Sequence, residues 1–237
     1  MRLFLAVCLF LGLYLSCEDS KTPKTQPTTT VVVKDTIQAP KEVATPAEKG
    51  TPQNPFIASQ AELKGFLKTY GEENPETKIR IETRFGNIDV TLFKDTPLHR
   101  ANFLLLAKNE YFNTTQFHRV AAGFVVQGGN NDTETTARNR ASMGKYLLPN
   151  ESKTKYSHRR GAFSASKFIE QNISKASSPF EFFIVQSHTG SHHLDGEHTV
   201  FGRVTKGMEV VDQINALEVD GSEWPIENVY MKVIVLE

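Results

Sequence analysis

FHRVAAGFVVQGGN, residues 117–130, places β-branched and aromatic side chains at 117–120 and 125–127, each run the length of a short strand. Gly128-Gly129 lacks the following Lys-Ser/Thr of a phosphate loop and suits a tight turn at a strand end. Runs of the same character recur at 161–165, 182–186, 199–204 and 230–236. Upstream, Ile79 and Ile81 alternate with charged residues, Phe85-Gly86-Asn87 reads as a turn, and Ile88, Val90 and Leu92 alternate again, which predicts a hairpin. Thr96-Pro97 reads as an N-cap with Pro at the first helical position, opening a helix through Ala101, Leu104 and Leu105 to about residue 109. A second helix is predicted over 207–217, with Met208, Val211 and Ile214 at core spacing. Many short antiparallel strands with two long helices predict a mainly β fold, a closed barrel capped by helices.

Working towards the N-terminus, Ser59-Gln60-Ala61-Glu62 has the form of a capping box. Leu63, Phe66, Leu67 and Tyr70 follow at helical spacing, so 56–76 is expected to carry an extra amphipathic helix at about 59–70. Residues 17–55 read as a tether. From Glu18 to Pro55 there are six prolines and eight threonines among Lys and Glu. Such a segment buries too little surface to offset its ordering entropy. Its reach is about 30 Å as a coil and about 120 Å as extended polyproline II. Residues 1–16 read as a signal peptide, with Arg2 ahead of the apolar run LFLAVCLFLGLYL. Leu15-Ser16-Cys17 resembles a bacterial lipobox, with Tyr14 where Leu is usual, and predicts lipidation of the Cys17 thiol. The reading is a lipoprotein of a bacterial cell envelope, facing periplasm or cell surface.

Composition narrows the function classes. Of 237 residues, 39% are hydrophobic, enough for a real core, and 27 basic residues balance 27 acidic ones. That balance excludes the basic footprint of a nucleic-acid binder. Cys8 and Cys17 are the only cysteines, so the domain from residue 77 to 237 holds itself together without disulfides or thiolate metal sites. His188, His192, His193 and His198 offer no helical His-x-x-x-His pair and no obvious carboxylate partner, and neither metal nor cofactor is expected.

Three blocks, in order, resemble the cyclophilin family. The first is 117–130, close to the signature FHR(V/I)xxGFxxQGGD. The second is Phe182-Phe183-Ile184-Val185, preceded by Ser177-Ser178. The third is Leu194-Asp195-Gly196-Glu197-His198-Thr199-Val200-Phe201-Gly202-Arg203-Val204, followed by Gly207-Met208-Glu209-Val210-Val211, and Ala101-Asn102-Phe103 also fits. The resemblance covers about 79–237. It implies a closed eight-stranded antiparallel barrel capped by two helices, with an active groove on its outer face. It also implies peptidyl-prolyl cis-trans isomerase activity on proline-containing polypeptide clients, by a monomer.

Turning an X–Pro bond breaks amide resonance over a barrier of about 18–20 kcal/mol. No covalent bond forms or breaks, so no nucleophile is needed. In the twisted state the proline nitrogen becomes a hydrogen-bond acceptor, and a guanidinium aimed at it stabilises that state above the planar one. Matching the motif, Arg119 is that donor, and Gln127 holds the arginine and the substrate backbone. Phe124, Val125, Phe183 and Leu194 match the wall of the proline pocket, and His198 its edge. His193 stands where the family often has Trp. Two positions depart from the pattern. Ser166 is followed by Lys167 where Asn is usual, and Glu181 replaces Gln; the two charges are placed to pair with each other or to tune substrate choice. These departures also motivate the rival reading, a proline-peptide-binding or holdase-type module of low activity.

Overall fold

A computed structural model of the chain describes residues 48–168 and 174–236. The signal peptide, the Cys17 lipobox and most of the tether lie outside the described residues.

Among the described residues nine strands form one sheet: β1 Lys78–Thr83, β2 Gly86–Leu92, β3 Gln116–Ala121, β4 Val125–Asn130, β5 Ala162–Ala165, β6 Phe182–Val185, β7 Val200–Lys206, β8 Val229–Tyr230 and β9 Lys232–Val235. Their order is β8-β3-β4-β6-β5-β7-β2-β1-β9, with every pairing antiparallel. The two ends of that order are adjacent in the chain. Only Met231 separates β8, which pairs with β3, from β9, which pairs with β1. The single C-terminal strand expected over 230–236 is thus broken once, and its halves bring the ends of the sheet together. Counted as one, they restore the eight-stranded barrel.

The hairpin turn falls at Arg84-Phe85, one position earlier than expected. Thr83 pairs with Gly86, which has φ +127° and opens β2. Gly128 and Gly129 are not a strand-end turn: both lie within β4. Gly129 has φ +96°, and a Cβ there would come within 2.1 Å of the Phe180 carbonyl oxygen. Close approach of neighbouring backbone is what requires glycine here.

Among the described residues there are four α-helices: α1 Leu63–Glu73, α2 Pro97–Lys108, α3 Glu134–Met143 and α4 Met208–Asn215. Helix α1 begins four residues after Ser59. Only half of the capping box forms, with Glu62 Oε1 accepting from the Ala58 and Ser59 amides. The helix belongs to the barrel body. Leu63 and Leu67 join the main core. Buried Arg100 of α2 donates to the carbonyls of Gly71 (2.8 Å) and Asn74 (2.7 Å), satisfying the C-terminal end of α1. At the start of α2 the Thr96 hydroxyl turns back to Phe93. A carboxylate from elsewhere caps the helix instead: Glu151 accepts from the amides of Leu98 (3.2 Å) and His99 (2.9 Å).

The barrel interior is aromatic. Phe103 of α2 contacts Phe112, Phe163, Phe182 and Phe201 with ring centroids 4.6 to 5.9 Å apart. A second, smaller apolar cluster lies on the opposite face of the sheet, with Val125, Phe183, Val185 and Val200 buried and Phe124 and Leu194 partly buried against them. The alternation follows from the two-residue period of strands: Phe182 and Ile184 point inward, Phe183 and Val185 outward.

Candidate active site

Register builds the site. Between β3 and β4, Phe117 pairs with Gly128 but Arg119 pairs with Gln127, so His118 is the extra residue of a bulge. A bulge re-aims the side chains beyond it, and here it sets Arg119 directly across from Gln127. Gln127 pairs in turn with Phe183 on β6, and Phe183 with Ser164 on β5. One cross-strand row therefore carries a cation, an amide and an aromatic ring.

These side chains surround a depression of about 200 Å³ lined by Arg119, Phe124, Val125, Gln127, Ser166, Lys167, Phe183, Leu194 and His198. Nine of the eleven groove residues named from the sequence line it. His193 does not: it is exposed and stacks on Phe124, with centroids 5.5 Å apart. Glu181 is outside the lining too, 9% exposed at its side chain and bonded to Gln127.

The polar edge is ordered by hydrogen bonds. The Gln127 amide donates to Ser166 Oγ (3.1 Å) and Glu181 Oε2 (3.0 Å), which turns its Oε1 towards Arg119 Nη1 at 3.5 Å. Glu181 is itself anchored by Arg140 Nη2 from α3 at 3.2 Å. Of the alternatives for Lys167 and Glu181, the mutual pair does not form. The Glu181 carboxylate is taken by Arg140 at 3.2 Å and Gln127 at 3.0 Å, while Lys167 pairs with Glu197 at 3.5 Å, with its side chain 5% exposed.

The apolar edge is fixed from two sides. Asn215, the last residue of α4, accepts from the Gly123 amide (2.8 Å) and donates to the carbonyls of Ala121 and Val125, locking the turn that carries Phe124. Asp195 accepts from the His158 amide and ring and from the Ser157 hydroxyl, which holds the short 3₁₀ turn His192–Leu194. Burial pushes the Asp195 carboxyl up, but these bonds outweigh it and hold it well below the usual range. His158 stacks on Phe183 with centroids 5.8 Å apart. His198 donates from Nδ1 to the Ala165 carbonyl (3.0 Å), and burial, seconded by Lys167, lowers its pKa to about 4, so the ring is neutral.

A cyclophilin-type peptidyl-prolyl cis-trans isomerase domain matches residues 78–235. The chain belongs to the cyclophilin family. Among its relatives, "Peptidyl-prolyl cis-trans isomerase-like 2" of Rhizopus delemar is 36% identical over 167 residues, 70% of this chain but 30% of that longer protein. A "Peptidyl-prolyl cis-trans isomerase" of Helicobacter pylori is 37% identical over 155 residues, 62% of this chain and 88% of the other. A crystal structure of a Cryptosporidium parvum cyclophilin-type isomerase, determined in the presence of the dipeptide Ala-Pro, superposes with a TM-score of 0.57 at 25% identity. It covers 68% of this chain and 99% of that one.

In this cyclophilin, sequence reasoning missed three groups at the site: Arg140, Asn215 and Glu223, whose carboxylate reaches Arg119 Nε at 2.7 Å. Each acts on a groove residue distant in the chain. The only local signal was the Asn-Ala that ends the amphipathic run of α4.

Proposed function

We propose that this chain accelerates cis–trans rotation about X–Pro bonds in polypeptide clients, with Arg119 as the donor to the proline nitrogen. The observation that carries the reading is the pairing of a guanidinium with the depression walled by Phe124, Val125, Phe183 and Leu194. A proline ring seated there leaves water, and its amide nitrogen comes within reach of a permanent charge with a rigid donor fork. The neutral His198 ring closes the pocket without bringing a second charge near the nitrogen. Gln127, its amide turned by Ser166 and Glu181, presents an oxygen to the arginine rather than a competing N–H. No step needs a nucleophile or a proton transfer.

We further propose that the domain works in a bacterial cell envelope, tethered through lipid on Cys17. The support is the apolar run 3–15 ahead of Leu-Ser-Cys and the Pro/Thr-rich segment beyond it. Uncatalysed X–Pro isomerisation takes about tens to hundreds of seconds, slow enough to limit folding of secreted clients. Refolding of a proline-limited substrate tests the activity: wild type should accelerate it and Arg119→Ala should not. Equal acceleration by both would remove Arg119 as the donor, and no acceleration by either would leave the binding or holdase reading, which line-shape NMR on an Ala-Pro peptide would then show as binding without faster exchange. Mass spectrometry of the mature N-terminus tests the anchor.

A further inference from the structure

The shortest polar contact of Arg119 is with a residue of the loop that follows α4. Glu223 Oε2 forms an ion pair with Arg119 Nε at 2.7 Å, with the two side chains 45% and 37% exposed. Glu223 also has a left-handed backbone, φ +65°, a conformation costly for any residue with a Cβ. Gly221 stands two positions away, yet the strained site carries glutamate.

The surrounding loop is built to hold that conformation. The Asp220 carboxylate accepts from the amides of Ser222 (2.8 Å) and Trp224 (3.0 Å). The Asp220 amide donates to the Trp224 carbonyl (2.9 Å), and the Glu223 amide to the Asp220 carbonyl (3.1 Å). The Glu223 carbonyl then accepts from the Val120 amide at 2.8 Å, one residue past Arg119. Backbone and side chain of Glu223 thus grip β3 at the same point.

The guanidinium has five donors. The Glu223 carboxylate pairs at Nε, and Gln127 Oε1 faces Nη1. The remaining fork protons stay available to a ligand in the depression that Arg119 lines. We propose that Glu223 is a positioning residue: it fixes the orientation of Arg119 so that its fork meets the proline nitrogen only in the twisted state. The proposal rests on the isomerase reading, in which Arg119 is the donor. A carboxylate on Nε, rather than across the fork, orients the arginine without occupying the atoms that act.

The test uses the full chain and NMR exchange on an Ala-Pro peptide, with kcat and KM resolved. Glu223→Ala keeps a Cβ at the left-handed position, and all of the loop's backbone bonds. Its kcat should fall about three- to fivefold at unchanged KM, the value of one half-exposed ion pair. Glu223→Asp should recover part of the loss. The Arg119 Nε–H resonance should broaden in Glu223→Ala relative to wild type. Should the alanine variant not fold, Glu223→Gln carries the same expectation with a smaller fall. Unchanged or increased kcat, or a change in KM alone, would overturn the proposal. Two controls test the underlying reading separately: no acceleration by wild type removes the isomerase reading itself, and full activity in Arg119→Ala removes Arg119 as its donor. With that reading intact, adding Glu223→Ala to Arg119→Ala should cause no further loss.

Discussion

Arg119 and Gln127 meet across β3 and β4 because His118 is the extra residue of a bulge. Removing the guanidinium takes away a donor that matters in the transition state and little in the ground state. Arg119→Ala should therefore lower kcat by about 10²–10³-fold with a small change in KM, and Arg119→Lys, a point charge without the fork, should fall between. Steady-state exchange rates on one peptide check both. His198 gives the pH dependence. Its folded pKa is lowered to about 4 from an ordinary 6.5, first by burial and then by Lys167. The unfolded chain thus binds the proton first, so this ring's contribution to stability is complete above pH 6.5 and is lost as pH falls towards about 4. Between about pH 5 and 8 the folded ring stays neutral, and the His198 contribution to activity should be flat. An NMR titration of its ring protons should show a midpoint near 4; a midpoint near 6.5 would mean the ring is solvated. At this scale the groove was legible, because Arg119, Phe124, Gln127, Phe183 and His198 sit in contiguous motifs. Glu223, Arg140 and the true partner of Lys167 were not, since each contact joins residues far apart in the chain.

Elements were legible where a face is apolar and obscure where it is not. The strands β3, β4, β6 and β7 and the helices α2 and α4 fall close to their expected places. Helix α3, ETTARNRASM, was missed: only Thr136 and Met143 are buried, so no apolar stripe marks it. It is held instead by the Thr133 cap and by Arg140, whose bonds to Tyr111 and Glu181 tie it to the barrel. The break of the last strand at Met231 was equally invisible, since a two-residue period runs on either side of it. The N-terminus of α2 yields a stability prediction. Glu151 accepts two of its free amides and the His99 ring at 2.7 Å, and no side chain within the helix replaces it. Glu151→Ala should destabilise the fold by about 1–2 kcal/mol, read as a lower denaturant midpoint at unchanged slope.

Across the whole molecule, one aromatic core serves both the barrel and its capping helices. Phe103 enters from α2 and touches rings on β5, β6 and β7 as well as Phe112. Phe103→Ala should cost about 3–5 kcal/mol by equilibrium unfolding, because rigid neighbours close little of the void. A cost below about 1 kcal/mol would show that the rings repack. The order β8-β3 to β1-β9 carries a consequence for synthesis. Ile79 lies beside Val235, so strands near opposite ends of the domain form a common seam. A nascent chain that has not yet delivered Met231 carries two raw sheet edges, each open to a neighbour's backbone. A domain proposed to relieve slow folding in others must itself wait for its last strand before it can shut.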